Sequence, residues 1–192
     1  MTAFVIGNGK SREGMDLNDL KKHGMTYGCN ALYREFTPDV LVAKDKPISD
    51  AIQESGYALK NRFYTRMITP DSGARMLELP WQNFNSGTNA LHIATTEDHN
   101  VIYLLGFDLG TVTKLVNNYY ADTRHYKKSD RAFSKLHGKI WLEQFITVMT
   151  EHPDIKFIRV INEHSKTYDQ LLKVKNLTEV DIDEFLKQIN NR

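Results

Sequence analysis

Hydrophobic residues fall into two patterns that alternate along the chain. Short, nearly continuous apolar runs occupy residues 3–6, 25–29, 40–43, 63–68, 101–105 and 156–161. Such runs are typical of strands buried on both faces of a parallel sheet. Between them, apolar residues recur every three or four positions, which predicts helices at 17–22, about 48–55, 88–95 and about 131–150. This alternation predicts parallel strands with right-handed crossovers. We therefore expect an α/β fold: a Rossmann-like, doubly wound, mostly parallel sheet flanked by helices, with a short lid segment.

The C-terminal residues carry a separate amphipathic pattern. Thr178 and Asp181 have the spacing of a capping box, and an apolar face follows in a predicted helix over residues 178–192. This helix packs either on the core, which we expect, or on a partner chain, so a homo-oligomer is possible. The chain thus divides into a Rossmann-like domain over residues 1–175 and a C-terminal amphipathic helix over residues 176–192.

A polar stretch before the long helix has no strand pattern. Residues 106–130 are rich in Asn, Tyr and Lys. A loop of this length in a compact domain is usually a lid or a disordered segment. We therefore place a lid at about residues 107–130, and we expect Asp130 to cap the helix that follows.

Composition narrows the class of protein. The chain has 192 residues, of which 41% are hydrophobic and 26% charged, as in a single globular domain. A net charge of +1 gives no clear signal of nucleic-acid binding. The single cysteine, Cys29, excludes an internal disulfide and fits a reducing compartment. The sequence contains no apolar run long enough for a membrane span and no signal-peptide pattern, so we expect a cytoplasmic protein.

The first predicted strand ends in Gly7-Asn8-Gly9-Lys10-Ser11. Glycines let the backbone approach a ligand closely, and free N–H groups after a strand can cradle an anion. Open α/β sheets bind ligands at the carboxyl ends of their strands, where this turn lies. The third glycine of the dinucleotide fingerprint and the spacing of a Walker loop are both missing. A plain tight turn is the alternative.

Two later segments place polar groups at the same edge of the sheet. Asn30 closes the second strand, where its amide offers a donor and an acceptor to a base or sugar, or else caps the next turn. Ser86, Gly87 and Thr88 open an apolar helix. We expect the hydroxyls there to cap the helix, with phosphate binding as a further role.

The strand at 101–105 is followed by Gly106 and Asp108. A carboxylate at this position binds a ribose hydroxyl, orients a loop or holds a metal. The same three roles are open to Asp45, which follows the third strand. No spaced set of His, Cys and carboxylate residues forms a convincing metal site, so we expect none.

The predicted lid carries candidate catalytic groups. Tyr119, Tyr120 and Arg124 are suited to stabilising negative charge on a leaving phosphate. His125, of a residue type that titrates near neutrality, is a candidate general base, with His137 as its strongest rival. The alternative is a solvated basic loop.

Taken in order, these motifs resemble those of the bacterial sialyltransferases of glycosyltransferase family 42. They are also similar to the related group of motility-accessory-factor and pterin-pyrophosphokinase-like proteins. Five segments spanning roughly residues 4–145 carry the resemblance: Gly7-Asn8-Gly9-Lys10-Ser11, Gly28-Cys29-Asn30-Ala31-Leu32-Tyr33, Ser86-Gly87, Ile102-Tyr103-Leu104-Leu105-Gly106-Phe107-Asp108 and Arg124-His125-Tyr126. The chain departs from the family at Lys10, where a proline is usual, and at Leu109 and Gly110, where a lid tyrosine is usual.

The resemblance implies a nucleotide-sugar site in the first domain. Asn8, Asn30, Ser86, Gly87 and Asp108 would hold the nucleotide of a donor such as a CMP-sugar. His125 would be the base in a metal-independent, cofactor-free transfer to an unknown acceptor, with lid tyrosines at the leaving phosphate. Two alternatives stay open: an ATP-dependent diphosphotransferase, whose Mg²⁺ would fall to Asp45 and Asp108, and a non-catalytic nucleotide-binding protein.

Overall fold

A single sheet of eight parallel strands organises the chain. The computed structural model describes residues 1–110, 117–127 and 135–190. The strands are β1 (Thr2–Ile6), β2 (Met25–Cys29), β3 (Val40–Val42), β4 (Arg62–Thr65), β5 (Arg75–Met76), β6 (Val101–Leu105), β7 (Lys156–Ile161) and β8 (Leu177–Asp181). Their order is β5-β4-β3-β2-β1-β6-β7-β8, and every pairing is parallel. The predicted Rossmann-like α/β fold class is confirmed.

Helices flank both faces of the sheet. They are α1 (Leu17–Leu20), α2 (Lys46–Glu54), α3 (Ser86–Thr95), α4 (Lys135–Glu151) and α5 (Ile182–Asn190). Along β1, Ala3 and Val5 face the core beneath α3 and α4, whereas Phe4 and Ile6 face the core beneath α1, α2 and α5. This is the alternation that a strand imposes on its side chains. Because both faces are covered, the central strands are apolar throughout, as the sequence pattern indicates.

The strand order reverses at β1. The chain moves outward from β1 through β2, β3, β4 and β5, then returns to place β6 on the other side of β1. Ile6 is in register with Gly28 on one side and with Leu105 on the other. The strand order therefore reverses at the carboxyl ends of β1 and β6, which is the place where sheets of this type bind ligands.

The C-terminal prediction is partly wrong. Thr178 lies in β8, and the helix begins only at Ile182, so the capping box of Thr178 and Asp181 does not form. Residues 177–181 pair with β7 instead, because backbone hydrogen bonds to an open sheet edge outweigh a local helical preference. Phe185 and Ile189 are buried in the core under the sheet, which confirms the expected packing of this helix on the domain.

Smaller differences concern the ends of elements. The fourth strand stops at Thr65 rather than at residue 68, and Met67 and Ile68 are exposed. The edge strand β5 has only two residues, both exposed, so no hydrophobic pattern predicts it. Asp130 and the predicted start of the long helix lie outside the described residues. Over the described part of the chain, no helix has both the length and the apolar character needed to cross a bilayer.

Candidate functional site at the carboxyl edge of the sheet

The glycine turn after β1 packs directly on the turn after β6. The Gly7 N–H donates to the Leu105 carbonyl at 2.7 Å, and the Gly9 N–H donates to the Gly106 carbonyl at 2.8 Å. A β-carbon on Gly7 would lie 2.5 Å from the Gly106 oxygen, and one on Gly9 would lie 2.5 Å from the Asp108 carboxyl. Gly106 itself has a φ of +67°. These glycines are therefore required by contact between two turns, and a ligand site must rest on other groups.

Asp108 is a buried carboxylate that ties loops together. Asp108 is only 3% exposed to solvent. Oδ2 accepts a hydrogen bond from the Ser11 N–H at 3.0 Å, and Oδ1 accepts one from the Ser165 hydroxyl at 3.2 Å. Of the roles considered for Asp108, these contacts correspond to orienting a loop.

Several buried polar atoms beside these turns have no hydrogen-bond partner among the described residues. They are both amide atoms of Asn8, the Ser11 hydroxyl and Oδ1 of Asn30. Leaving such an atom without a partner costs roughly 1–3 kcal/mol, so proteins rarely do so without a reason. Asn30 also has a left-handed backbone, with a φ of +54°. Strained backbone and unsatisfied polar groups together are typical of a ligand site.

Asn30 follows β2 directly, beside the end of β1. The short helical turn that starts at Asn30 has no side-chain cap, so the capping role considered for this residue is not observed. Burial is the main cause that raises the pKa of Tyr126, which also interacts with the Ala31 backbone. Tyr126 therefore stays protonated and lies over the same strand end.

The amino end of α3 lies at the same edge of the sheet, next to the end of β3. Asn85, rather than Ser86 or Thr88, is the N-cap: its Oδ1 accepts from the Thr88 N–H at 3.0 Å. The expected capping by Ser or Thr is therefore wrong, because an asparagine precedes them. The Ser86 hydroxyl accepts from the Lys44 N–H at 3.1 Å, and Gly87 follows in the first turn. This bond fixes the helix start at the end of β3.

Residues 117–120 of the predicted lid lie on the glycine turn. The Tyr119 N–H donates to the Asn8 carbonyl at 2.7 Å, and Asn117 Oδ1 accepts from the Lys10 N–H at 3.0 Å. Tyr119 is 37% exposed, whereas Tyr120 is 6% exposed. Burial is the main cause that raises the pKa of Tyr120, so this phenol remains protonated. Residues 111–116 and 128–130 of the predicted lid lie outside the described residues.

A buried arginine joins the lid to the turn. Arg12 is 3% exposed. Its Nε donates to the Gly7 carbonyl at 2.9 Å, and its Nη2 donates to Glu35 Oε1 and to the Tyr120 hydroxyl, each at 2.9 Å. The Tyr120 hydroxyl in turn donates to Glu35 Oε1. The Arg12 guanidinium carbon also lies 4.5 Å from the Tyr119 ring centroid. Sequence reasoning missed Arg12 and Glu35, because their pairing depends on the approach of two loops and leaves no local pattern.

The candidate base lies further along the lid. Arg124 and His125 are both exposed, in a turn where the Tyr126 N–H donates to the Thr123 carbonyl at 2.9 Å. Arg34 holds this turn by donating to the Arg124 carbonyl at 2.8 Å. Desolvation, followed by the charges of Arg124 and Arg34, lowers the pKa of His125. A neutral imidazole at pH 7 is the form that accepts a proton. The side chain of its rival, His137, lies outside the described residues.

The described residues contain no group of three or more His, Cys, Asp or Glu side chains arranged to hold a metal ion. Comparisons with protein-family models, with curated proteins and with solved structures find no match to this chain.

Proposed function

We propose that the chain binds a nucleotide at the carboxyl edge of its sheet and transfers a group from a nucleotide-activated donor. The two buried amide atoms of Asn8 and the buried Oδ1 of Asn30 lie at the reversal of strand order and have no hydrogen-bond partner among the described residues, and they carry this proposal. An amide offers both a donor and an acceptor, which suits a nucleobase edge or a sugar hydroxyl. The donor we favour is a nucleotide-sugar such as a CMP-sugar, used as in a metal-independent, sialyltransferase-like glycosyltransferase.

The phosphate of the donor belongs at the start of α3. This ten-residue helix begins with Ser86 and Gly87 at the end of β3, where Lys44 is also held. Backbone N–H groups and the helix dipole at such an end favour a negative charge. The ligand would thus span the ends of β1, β2 and β3, with its nucleoside near the two asparagines.

The transfer itself is a direct displacement. His125 removes the proton of an acceptor hydroxyl as that oxygen bonds to the anomeric carbon of the donor sugar. The bond between this carbon and the phosphate oxygen breaks, and the electron pair leaves with the phosphate. Tyr119 and Arg124 stabilise the departing phosphate, since both are exposed on the lid. Tyr120 already donates its proton to Glu35, so its contribution is to position the lid.

Release of nucleotide from CMP-, UDP- and GDP-sugars and from ATP tests the proposal, with His125→Ala compared with wild type. We expect turnover of one sugar nucleotide to fall by roughly 10²–10⁴ while its affinity is kept, since a general base contributes about that factor. His164→Ala, which removes another partly exposed histidine, is the matched control.

Each other outcome favours a different function. Unchanged turnover in His125→Ala would remove this residue from the mechanism. Turnover of ATP alone, lost on chelation of Mg²⁺, would favour a diphosphotransferase. Binding of a nucleotide without turnover of any donor would leave a non-catalytic nucleotide-binding protein.

A further inference from the structure

A second concavity adjoins the glycine turn on the side of α1. It has a volume of about 140 Å³. Its polar side chains are Arg12, Asp16, Asn18 and Glu35, and its aromatic rings are Phe36 and Tyr119. Pockets for drug-sized ligands have volumes of roughly 300–1,000 Å³. This cavity therefore fits one ring of a ligand rather than a whole nucleotide.

We propose that this cavity binds a sugar ring through two neighbouring hydroxyl groups, which donate hydrogen bonds to the Glu35 carboxylate. Glu35 is held in place from one side only, since Arg12 and Tyr120 both bond to its Oε1 atom. No described residue donates to its Oε2 atom, and its side chain is 34% exposed. A fixed carboxylate whose second oxygen has no donor among the described residues is well suited to accept hydrogen bonds from a diol.

Charge and shape favour a neutral ligand in this cavity. Among the described residues that line the cavity, the single cation, Arg12, is already paired with Glu35, and the second carboxylate, Asp16, accepts from the Asn18 N–H at 3.0 Å. Two carboxylates against one guanidinium disfavour a phosphate or a carboxylate ligand. The exposed ring of Tyr119 gives the apolar C–H face of a sugar a surface on which to pack.

The sugar ring has two possible sources. It is either the ribose of the bound nucleotide or a separate sugar, which would be the second substrate. In both cases the cavity lies next to the proposed transfer site, because the Tyr119 N–H bonds to the Asn8 carbonyl at 2.7 Å. If the ring is the ribose, the inference rests on the proposed function. If it is a separate sugar, no nucleotide needs to bind.

Calorimetric titration distinguishes the ribose source. The probes are AMP, CMP, GMP, UMP and their 2′-deoxy counterparts, titrated into wild type, Glu35→Gln and Tyr119→Ala. If the ribose occupies the cavity, one ribonucleotide binds at least tenfold more tightly than its deoxy form, and Glu35→Gln removes this preference. Glu13→Gln, which changes an exposed glutamate next to Arg12, keeps it.

Saturation-transfer NMR with D-glucose and D-galactose tests the separate-sugar source. If a separate sugar binds, we expect saturation transfer to its ring protons, and we expect this signal to be lost in Tyr119→Ala and kept in Glu13→Gln. Tyr119 is exposed, so its replacement leaves the fold intact even if Glu35→Gln proves unstable. Equal binding of ribo- and deoxynucleotides together with no transfer to either sugar would overturn the proposal. If no nucleotide binds but saturation transfer to a sugar is still observed, the proposed function is overturned and this site is not.

Discussion

At the scale of single residues, the glycines of the first turn have a structural reason that the sequence motif does not reveal. A β-carbon at Gly9 would lie 2.5 Å from the Asp108 carboxyl and 2.6 Å from the Gly106 oxygen. Backbone on one side and a buried carboxylate on the other leave little room to adjust. The motif therefore reflects contact between two turns, while Asn8 and Asn30 carry the argument for a ligand.

This reason predicts a loss of stability in Gly9→Ala. Overpacking at a buried site costs about 1–3 kcal/mol, and the free energy of unfolding in urea would fall by that amount. Gly87→Ala is the control, because its β-carbon would meet atoms only at 3.4 Å or beyond and helix α3 favours alanine. Equal stability of Gly9→Ala and wild type would show that the two turns pack less closely than described.

At the scale of elements, the tertiary context decides what local patterns leave open. The apolar runs correctly predict the central strands, because burial on both faces leaves a continuous hydrophobic signature. The pattern over residues 178–192 misleads at its start, because Thr178 and Asp181 suit a helix cap as well as an edge strand. Only the vacant edge of β7, which no local window contains, makes the strand the better state for residues 177–181.

A half-buried histidine in helix α3, His92, makes the stability of the protein depend on pH. The ring of His92 stacks on Trp81 with centroids 3.6 Å apart. Burial, and then the neighbouring His152, lowers the pKa of His92 to about 4. In the unfolded chain a histidine titrates near about 6.5. Between these two values the unfolded state binds more protons, so stability falls as the pH is lowered from about 6.5 toward 4.

Urea unfolding of His92→Phe at a series of pH values measures this contribution. We expect a smaller loss of stability between pH 6.5 and 4 than in wild type, because the titrating group is gone while a stacking ring remains. His164→Phe, at a partly exposed position, keeps the wild-type slope. An identical slope in His92→Phe and wild type would mean that His92 is protonated as readily in the folded protein as in the unfolded chain.

At the scale of the whole molecule, one buried cation joins three parts of the chain. Arg159 in β7 is fully buried. Its Nε donates to the Phe107 carbonyl at 2.8 Å, its Nη2 donates to the Lys166 carbonyl at 3.0 Å, and its Nη1 pairs with Glu179 in β8. Arg159 thereby positions the loop that carries Asp108, and it ties the last strand to the sheet.

Removal of Glu179 should therefore destabilise the entire domain. Breaking a buried pair costs about 3–5 kcal/mol, and we expect the lower end for Glu179→Ala, because two carbonyls still solvate Arg159. The double variant Arg159→Met/Glu179→Leu should recover part of that loss, since no charge is left buried. Glu163→Ala, whose side chain is 79% exposed, should change the unfolding free energy by less than about 0.5 kcal/mol. A loss that small in Glu179→Ala would mean that the Arg159–Glu179 pair contributes little to the stability of the fold.

The sequence alone predicts the fold class and the edge at which the candidate site lies, because periodicity and strand-end chemistry are local signals. It also leads to Asn8 and Asn30, which end two neighbouring strands. It does not lead to Arg12, Glu35 or Arg159, whose partners are brought together only by the folded chain. Nor does it show that the Asp108 carboxylate is already bonded to Ser11 and Ser165.

The central claim is that a nucleotide binds at the carboxyl edge of the sheet. Titration of ¹⁵N-labelled protein with the sugar nucleotide that binds most tightly in a panel of CMP-, UDP- and GDP-sugars tests this claim most directly. We predict that the largest amide shift changes fall on residues 7–11, Asn30 and residues 86–88, and that Asn8→Ala weakens binding at least tenfold. Shift changes confined to the amino edge of the sheet, around Lys22 and His23, would contradict the claim, as would no response to any sugar nucleotide.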